Sequence, residues 1–85
     1  MRRSNKHTYA LNYPNPIVIT NMSIYCPDSS ATIDIRLGKM YIAKNVHIPY
    51  MALVCFGPYH LKPNAKFKVI SNKKVVVSHN ICILQ

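Results

Sequence analysis

A seven-residue pattern, repeated three times in the second half of the chain, limits the possible folds more than any other feature. Each copy reads apolar, any, any, Asn, apolar, any, apolar, and the asparagines Asn45, Asn64 and Asn80 lie 19 and 16 residues apart. That spacing is close to the roughly 18 residues in one three-sided coil of a parallel β-helix, at about six residues per side. Asparagine suits a corner because it tolerates a left-handed backbone and bonds to its own main chain. The pattern predicts a short parallel β-helix with these asparagines stacked.

The runs from 42 to 48 and from 61 to 67 resemble coils of hexapeptide-repeat and bactofilin-type β-helices. This resemblance implies a solenoid of about three to four coils, with Ile48, Phe67 and Ile83 stacked inside on adjacent parallel strands. It also implies a self-assembling scaffold that polymerises end to end by stacking its coils, with a basic N-terminal arm on a membrane.

The same residues also fit a small antiparallel β-domain. The segment from Lys68 to Val77 reads as strand, polar turn and strand, which is the pattern of a β-hairpin. Five strand candidates, the number in an OB-like barrel, are Pro16–Ser23, Ala31–Leu37, Met40–Ile48, Lys66–Ile70 and Val75–Leu84. Both interpretations are all-β, and they differ in whether neighbouring strands run parallel or antiparallel.

The clearest strand runs from Ala31 to Leu37, where apolar and polar residues alternate. Gly38 and Lys39 predict a tight turn after it, and the apolar run 51–56 predicts a fully buried strand. The expected core residues are Ile33, Ile35, Leu37, Val46, Ile48, Val69 and Ile81.

The chain divides into a short arm and one domain. Residues 1–12 are basic and polar without strong periodicity, which predicts a flexible arm. Pro14 and Pro16 favour an extended hinge after it. Residues 13–85 form a single all-β domain in this interpretation.

Charge is the strongest indication of function. The chain has 11 Lys and Arg against 2 Asp and Glu, a net charge of +9, and no acidic residue after Asp34. Such a surface repels itself unless an anion neutralises it, and the usual anions are nucleic acid and acidic membranes. The candidate nucleic-acid-binding residues are Arg2, Arg3, Lys6, Lys39, Lys44, Lys62, Lys66, Lys68, Lys73 and Lys74.

Three of these lysines are expected to project together from one outward face: Lys62, Lys66 and Lys68. Two tyrosines lie near basic residues in the sequence, Tyr41 and Tyr59, and aromatic rings in such positions often stack on bases. Packing of both rings against the core is the alternative.

The sequence offers little for catalysis. Asp28 and Asp34 are the only carboxylate side chains, so a paired-carboxylate mechanism is discounted, and the two glycines stand outside any phosphate-binding motif. The histidines His47, His60 and His79 are expected to face solvent rather than bind zinc. No catalytic residue, metal site, cofactor or small-molecule substrate is predicted.

Three cysteines, an odd number without paired C-x-x-C spacing, predict free thiols in a reducing compartment inside the cell. Cys55 and Cys82 lie in apolar runs and are expected to act as small hydrophobic residues, whereas Cys26 precedes a proline and is expected to be exposed. The N-terminus has no apolar stretch of the length that a secretory signal requires.

Two hypotheses for function follow. The first is a non-enzymatic basic module that docks on RNA or DNA in a ribonucleoprotein or viral context. The second is the self-assembling, membrane-associated scaffold that the resemblance implies. Salt-sensitive binding of nucleic acid supports the first, and filaments formed without nucleic acid support the second.

Overall fold

The computed structural model describes residues 6–83, which form eight β-strands and no helix. The strands are β1 His7–Leu11, β2 Ile17–Tyr25, β3 Ala31–Leu37, β4 Met40–Ile48, β5 Leu53–Phe56, β6 Tyr59–Leu61, β7 Phe67–Ser71 and β8 Val76–Ile83. No segment in this range is a helix of the length and apolarity needed to cross a membrane.

The strands form two four-stranded sheets. Sheet A has the order β1-β7-β3-β4. In sheet B the central strand β2 pairs with β5 and then β6 along one side, and with β8 along the other. Every pairing is antiparallel, and neither sheet closes into a barrel. The protein is therefore an all-β structure of two open antiparallel sheets.

The predicted parallel β-helix is wrong for the described strands, because it requires neighbouring strands to run parallel. Asn45 and Asn64 do adopt left-handed backbones, with φ of 55° and 60°. Asn45, however, sits in a bulge of β4, Asn64 in the β6–β7 loop, and Asn80 within β8. The small antiparallel alternative is compatible with these pairings, although the sheets stay open.

The predicted hairpin between residues 68 and 77 is also wrong. Strand β7 pairs with β1 and β3 in sheet A, whereas β8 pairs with β2 in sheet B. The polar segment between them therefore carries the chain from one sheet to the other. Ser71, the last residue of β7, is buried where this segment begins, and its hydroxyl donates to the Lys73 carbonyl at 2.6 Å and accepts from the Lys73 backbone N–H at 3.2 Å.

The core lies between the two sheets. It consists of Ile17, Ile19, Met22, Ile24, Cys26, Ala31, Ile33, Ile35, Ile48, Leu61, Phe67 and Val69. Ile33, Ile35, Ile48 and Val69 are buried as predicted, whereas the other predicted core residues, Leu37, Val46 and Ile81, are only half-buried. Burial of these side chains is the main force that holds the sheets together, at about 1.5 to 3 kcal/mol for each fully buried aliphatic residue.

Strands β3 and β4 pair antiparallel as a hairpin through the tight turn predicted at Gly38 and Lys39. Gly38 has φ of 62°, a conformation that glycine adopts without steric strain. Further along the hairpin, Lys44 and Asn45 together oppose Asp34, and this bulge gives β4 an extra residue. The backbone N–H of Asn45 donates to the Asp34 carboxylate at 2.8 Å, which stabilises the bulge.

A second irregularity lies in the centre of β2. The pairing with β8 shifts between Ile19 and Asn21, so that Thr20 is an extra residue. Near the same point, the strand that pairs with the other side of β2 changes from β5 to β6, and Gly57 and Pro58 connect these two strands. A Cβ at Gly57 would lie 3.3 Å from the Ile19 carbonyl oxygen, and its φ is 109°, so only glycine fits there without strain.

The N-terminal arm predicted over residues 1–12 is partly a strand, since β1 covers residues 7–11 and pairs with β7. Arg2 and Arg3 lie outside the described residues. The predicted buried strand at 51–56 is the edge strand β5, in which Leu53 is 63% exposed.

The three cysteines are unpaired, but their predicted exposures are reversed. Cys26 is fully buried, whereas Cys55 and Cys82 are exposed. Cys26 follows the inward face of β2, and its thiol donates to the Lys74 carbonyl at 3.4 Å. Cys55 and Cys82 lie across from Ser23 and Val18, which occupy the outer face of that strand.

Candidate nucleic-acid interface

The outer face of sheet A carries a row of basic and aromatic side chains. The row is set by strand pairing: Lys68 on β7 lies opposite Arg36 on β3, and Arg36 lies opposite Tyr41 on β4. These side chains point outward because their neighbours Ile35, Phe67 and Val69 are directed into the core. The alternation of β3 and β7 therefore assembles the row.

Tyr41 is the centre of a small cationic cluster. The Lys44 ammonium lies 4.8 Å from the centre of its ring, and the Arg36 guanidinium carbon lies 6.0 Å from it. Both distances permit attraction between the cations and the ring quadrupole. The Tyr41 side chain is nevertheless 43% exposed, so part of the ring is open to solvent. We call Arg36, Tyr41, Lys44 and Lys68 the basic face.

The lysines expected to lie together, Lys62, Lys66 and Lys68, line two adjoining grooves. Lys62 and Lys66 line a groove of about 330 Å³ with His60 and Met40. Lys66 and Lys68 line a neighbouring groove of about 270 Å³. Lys66 is shared, so the three lysines form a continuous surface at one end of sheet A.

These lysines differ in how they are positioned. Lys68 is half-buried on β7, whereas Lys62 and Lys66 belong to the β6–β7 loop and are exposed. The Gly38 amide donates to the Lys66 carbonyl at 2.7 Å, which fixes this loop beside the β3–β4 hairpin. Lys39 is exposed in that hairpin, so it extends the same basic end.

The other candidate lysines lie at the opposite end of sheet A. Lys73 and Lys74 are exposed in the β7–β8 loop, which is joined to the start of β3 by a bond from the Thr32 amide to the Asn72 side chain at 2.8 Å. Lys6 precedes β1 and lines a groove that includes Thr32 and Asn72. The basic residues thus occupy both ends and the middle of one sheet.

One acidic residue lies within this surface. Asp34 is half-buried on the outer face of β3, opposite Ile70. Its carboxylate accepts the Asn45 amide described above. The residue therefore stabilises the β4 bulge, but it also places a negative charge two residues from Arg36, where it opposes binding of an anion.

Sheet B differs sharply in charge. None of its four strands, which all lie within the described range 6–83, contains Asp, Glu, Lys or Arg. Its outer face carries hydroxyl, amide, thiol and apolar side chains, among them Ser23, Cys55, Ser78, Asn80 and Cys82. The basic surface is therefore confined to sheet A and the loops next to it.

Tyr59, the other tyrosine near basic residues in the sequence, packs against the core, which was the alternative to a stacking platform. Its ring centre lies 5.8 Å from that of Phe67, and burial raises its pKa above the ordinary value of tyrosine.

Tyr9 lies at the other side of the sandwich. Burial, and to a smaller extent the nearby Tyr13, raise the pKa of Tyr9. The Tyr9 hydroxyl lies 2.7 Å from His79 Nδ1, a hydrogen bond that joins β1 to β8.

The histidines do not come together. His47 and His60 are exposed on different sheets, whereas His79 is half-buried against Tyr9, contrary to the expectation that it faces solvent. Within residues 6–83, no three His, Cys, Asp or Glu side chains are grouped as metal ligands.

Arg36 is the functional candidate that the sequence pattern did not single out. The alternation from Ala31 to Leu37 puts Arg36 on the polar side of the strand with Thr32 and Asp34. The sequence does not show which residues lie beside Arg36 across the sheet. Lys68 is distant in sequence, and the bulges of β4 shift the register that brings Tyr41 opposite Arg36.

No protein-family model, curated protein or solved structure matches this chain. Its function is therefore inferred from its own residues and their arrangement.

Proposed function

We propose that this protein is a non-enzymatic module that binds nucleic acid through the outer face of sheet A. The observation that carries the proposal is the basic face itself, in which Arg36 and Lys44 lie beside the exposed ring of Tyr41 and Lys68 lies opposite Arg36 on the next strand. Cations contact phosphates, and an aromatic ring beside them stacks on an unpaired base. This combination of groups fits RNA or single-stranded DNA better than it fits a small anion.

The distribution of charge supports a long polyanion as the partner. Basic residues extend from Lys39, Lys62 and Lys66 at one end of sheet A to Lys6, Lys73 and Lys74 at the other. A compact anion would neutralise one end only, whereas a nucleic-acid backbone can follow the whole sheet. Released counterions then favour binding.

A ribonucleoprotein or a virus particle is the proposed setting, since both bring basic modules onto nucleic acid. The free thiols of Cys55 and Cys82, exposed on sheet B, are in keeping with a reducing compartment inside the cell. No role is proposed for a cofactor.

The scaffold hypothesis loses its main support. End-to-end polymerisation was expected from stacked coils, and the described strands form antiparallel sheets instead. Acidic membranes stay a competing anionic partner, and the experiment below includes them.

The deciding experiment replaces Arg36, Lys44 and Lys68 together by Gln and measures affinity at several salt concentrations. Each phosphate contact contributes about −0.9 to the slope of log affinity against log salt for duplex and about −0.7 for single strands. We therefore expect the triple variant to lose roughly two units of slope on single-stranded RNA. A thermal melt checks the fold, which exposed or half-exposed basic side chains affect little.

The matched control replaces Lys6, Lys73 and Lys74 by Gln, which removes the same charge from the far end of sheet A. A smaller loss in the control than in the face variant supports a defined site. Equal losses would mean that the basic face contributes no more than the far end of sheet A, which would contradict its role as the main site. Binding to vesicles rich in phosphatidylserine without binding to nucleic acid would contradict the proposal.

A further inference from the structure

The edges of the two sheets differ in how well they resist pairing with another strand. An edge strand presents unpaired N–H and C=O groups, and proteins usually protect it by bulges, charges, prolines or short length. Strand β4 has two bulges and carries Lys44. Strands β5 and β6 are four and three residues long and are separated by Gly57 and Pro58. Strand β1 has five residues and follows Lys6.

Strand β8 has none of these protections. It is eight residues long, from Val76 to Ile83, and contains neither proline nor a charged residue. Its backbone pairs with β2 along one side, and no strand among the described residues pairs with its other side. Four of its residues are Val or Ile, which favour extended backbone. The edge is therefore ready to accept another strand.

We infer that β8 pairs antiparallel with β8 of a second copy of this chain. Antiparallel pairing of one strand with itself is self-complementary, so it closes a two-fold dimer and leaves no free β8 edge. The two sheets B then join into one continuous sheet. This inference does not depend on the proposed binding of nucleic acid.

Charge disfavours pairing of two copies through sheet A, and among the uncharged strands of sheet B only β8 is a long unpaired edge. Two chains of net charge +9 repel each other, and contact through sheet A would bring Arg36, Lys44 and Lys68 of both copies together. Contact through β8 involves no charged strand residue. The Lys73 and Lys74 loops precede β8, so antiparallel pairing sets those of the two copies at opposite ends of the paired strands, farther apart than the roughly 25 Å that eight residues span at about 3.3 Å each. That distance exceeds the screening length of about 8 Å at physiological salt.

The dimer would also give the basic face a defined orientation. Two antiparallel strands within one continuous sheet are related by a two-fold axis perpendicular to that sheet. Both copies of sheet A therefore lie on the same side of the joined sheet B. The Tyr9–His79 hydrogen bond ties β1 to β8, so the sheets A meet above the new junction. Two basic faces then form one wide surface on one side of the dimer.

Salt dependence separates this interaction from binding to nucleic acid. Screening reduces repulsion between two basic copies, so added salt should strengthen the dimer, whereas it weakens contacts with phosphate. Analytical ultracentrifugation of the full chain without nucleic acid, at low and high sodium chloride, measures the effect. We expect the wild type to shift from monomer towards dimer as salt rises.

The test variant replaces Ser78 and Asn80, both exposed on β8, by Lys. Charges on an edge strand block pairing, so this variant should stay monomeric where the wild type is dimeric. The matched control places two lysines at Thr32 and His47, which are exposed cross-strand partners on sheet A. The control should dimerise like the wild type.

A thermal melt of each variant distinguishes failure to pair from failure to fold. Hydrogen exchange supplies a second measurement, since alternate amides of β8 should gain protection on dimerisation while those of β4 do not. A wild type that stays monomeric at every salt concentration overturns the inference. A Ser78→Lys, Asn80→Lys variant that dimerises normally, or open-ended filaments in place of a dimer, overturns it as well.

Discussion

Sheets A and B share one core, but they present different surfaces. Sheet A directs Ile33, Ile35 and Val69 inward, and sheet B directs Ile19 and Ile24 inward, all of them almost fully buried. On the outside, sheet A carries Arg36, Lys44 and Lys68, whereas the strands of sheet B, all within residues 6–83, contain no charged residue. The inner faces are therefore equivalent in chemistry, and the outer faces are not.

The pleat of the strands separates the residues that form the core from those of the proposed binding surface. In an antiparallel sheet successive residues point to opposite faces, so the outer residues can change without disturbing the inner ones. A charge change on sheet A is expected to alter binding with little effect on folding. Substitutions inside either sheet are expected to do the reverse.

The largest expected effect tests whether the two inner faces are equivalent. Replacing Ile35 of sheet A by Ala should lower the free energy of unfolding by about 2 to 4 kcal/mol, because it leaves a cavity in a packed core. Ile35 and Ile19 are both 0% exposed, so Ile19→Ala in sheet B should cost a similar amount. Urea unfolding measures both values.

The matched control for these substitutions is Val76→Ala, since Val76 is 50% exposed on β8. Its effect should stay within about 0.5 kcal/mol. A melt that Ile35→Ala leaves unchanged would contradict the assignment of sheet A to the core. A large effect of Ile35→Ala beside a small effect of Ile19→Ala would show that sheet B is only loosely attached.

The next prediction concerns the outer face of sheet A. Tyr41→Ala should weaken binding to single-stranded RNA by about 1 to 3 kcal/mol, the range for loss of one stacked base. Tyr50→Ala is the control, because Tyr50 is also exposed, at 59%, but lies in the β4–β5 connection. Fluorescence anisotropy with a labelled oligonucleotide compares them. Equal losses from the two variants would show that Tyr41 is not a specific platform.

A smaller effect is expected from Asp34→Asn. The side-chain oxygen of the new Asn at position 34 can still accept the backbone N–H of Asn45, so the β4 bulge should persist. The negative charge beside the basic face disappears. Affinity for nucleic acid at low salt should rise a few-fold, and the gain should shrink as salt increases. Weaker binding by this variant would mean that the carboxylate positions the site rather than opposing it.

The smallest effect concerns the contact between the sheets at Tyr59. Burial raises the pKa of Tyr59 in the folded protein, so the neutral phenol is favoured there. Its contribution to stability is complete below the ordinary pKa of about 10 and is lost as pH rises through the raised value. Tyr59→Phe should therefore make the fall in stability above about pH 10 less steep.

Tyr9 offers the comparison at the other side of the sandwich. Its pKa is also raised by burial, but its hydroxyl is bonded to His79. Tyr9→Phe should therefore lower stability near neutral pH, which Tyr59→Phe should not. Urea unfolding between neutral and alkaline pH measures both effects. If stability falls equally steeply above about pH 10 in the wild type and in Tyr59→Phe, the prediction for Tyr59 is contradicted.

Local patterns in the sequence correctly indicated strands, their inner faces and one turn. The alternation from Ala31 to Leu37 predicted β3 and the burial of Ile33 and Ile35, and Gly38 with Lys39 predicted the turn between β3 and β4. Pairing partners could not be predicted in this way, because the period of a strand specifies which side is apolar but not which strand lies next to it. The asparagine repeat was misleading for a related reason: a left-handed residue fits a bulge or a loop as well as a coil corner.

For the candidate site, the excess of basic residues could be predicted from the sequence, but which side chains lie next to one another on the sheet could not. The excess of Lys and Arg indicated an anionic partner, but Arg36 joins Lys68 and Tyr41 only through cross-strand pairing. The prediction of which cysteines are exposed was wrong, because an apolar run does not distinguish an edge strand from a buried one. Cys55 lies on such an edge, whereas Cys26 extends the inner face of β2.

The position of β2 in the chain has a consequence for how the molecule folds. This strand, at residues 17–25, forms the centre of sheet B, yet its partners are β5, β6 and β8, the last at residues 76–83. During synthesis the apolar side of β2 stays without its full set of neighbours until residues 76–83 have emerged. Pairings between residues so far apart close large loops, which slows folding to milliseconds or seconds in proteins dominated by such contacts. Nascent chains of this protein are therefore expected to need shielding until β8 has been made, and cells short of chaperones should accumulate aggregates before they accumulate misfolded monomers.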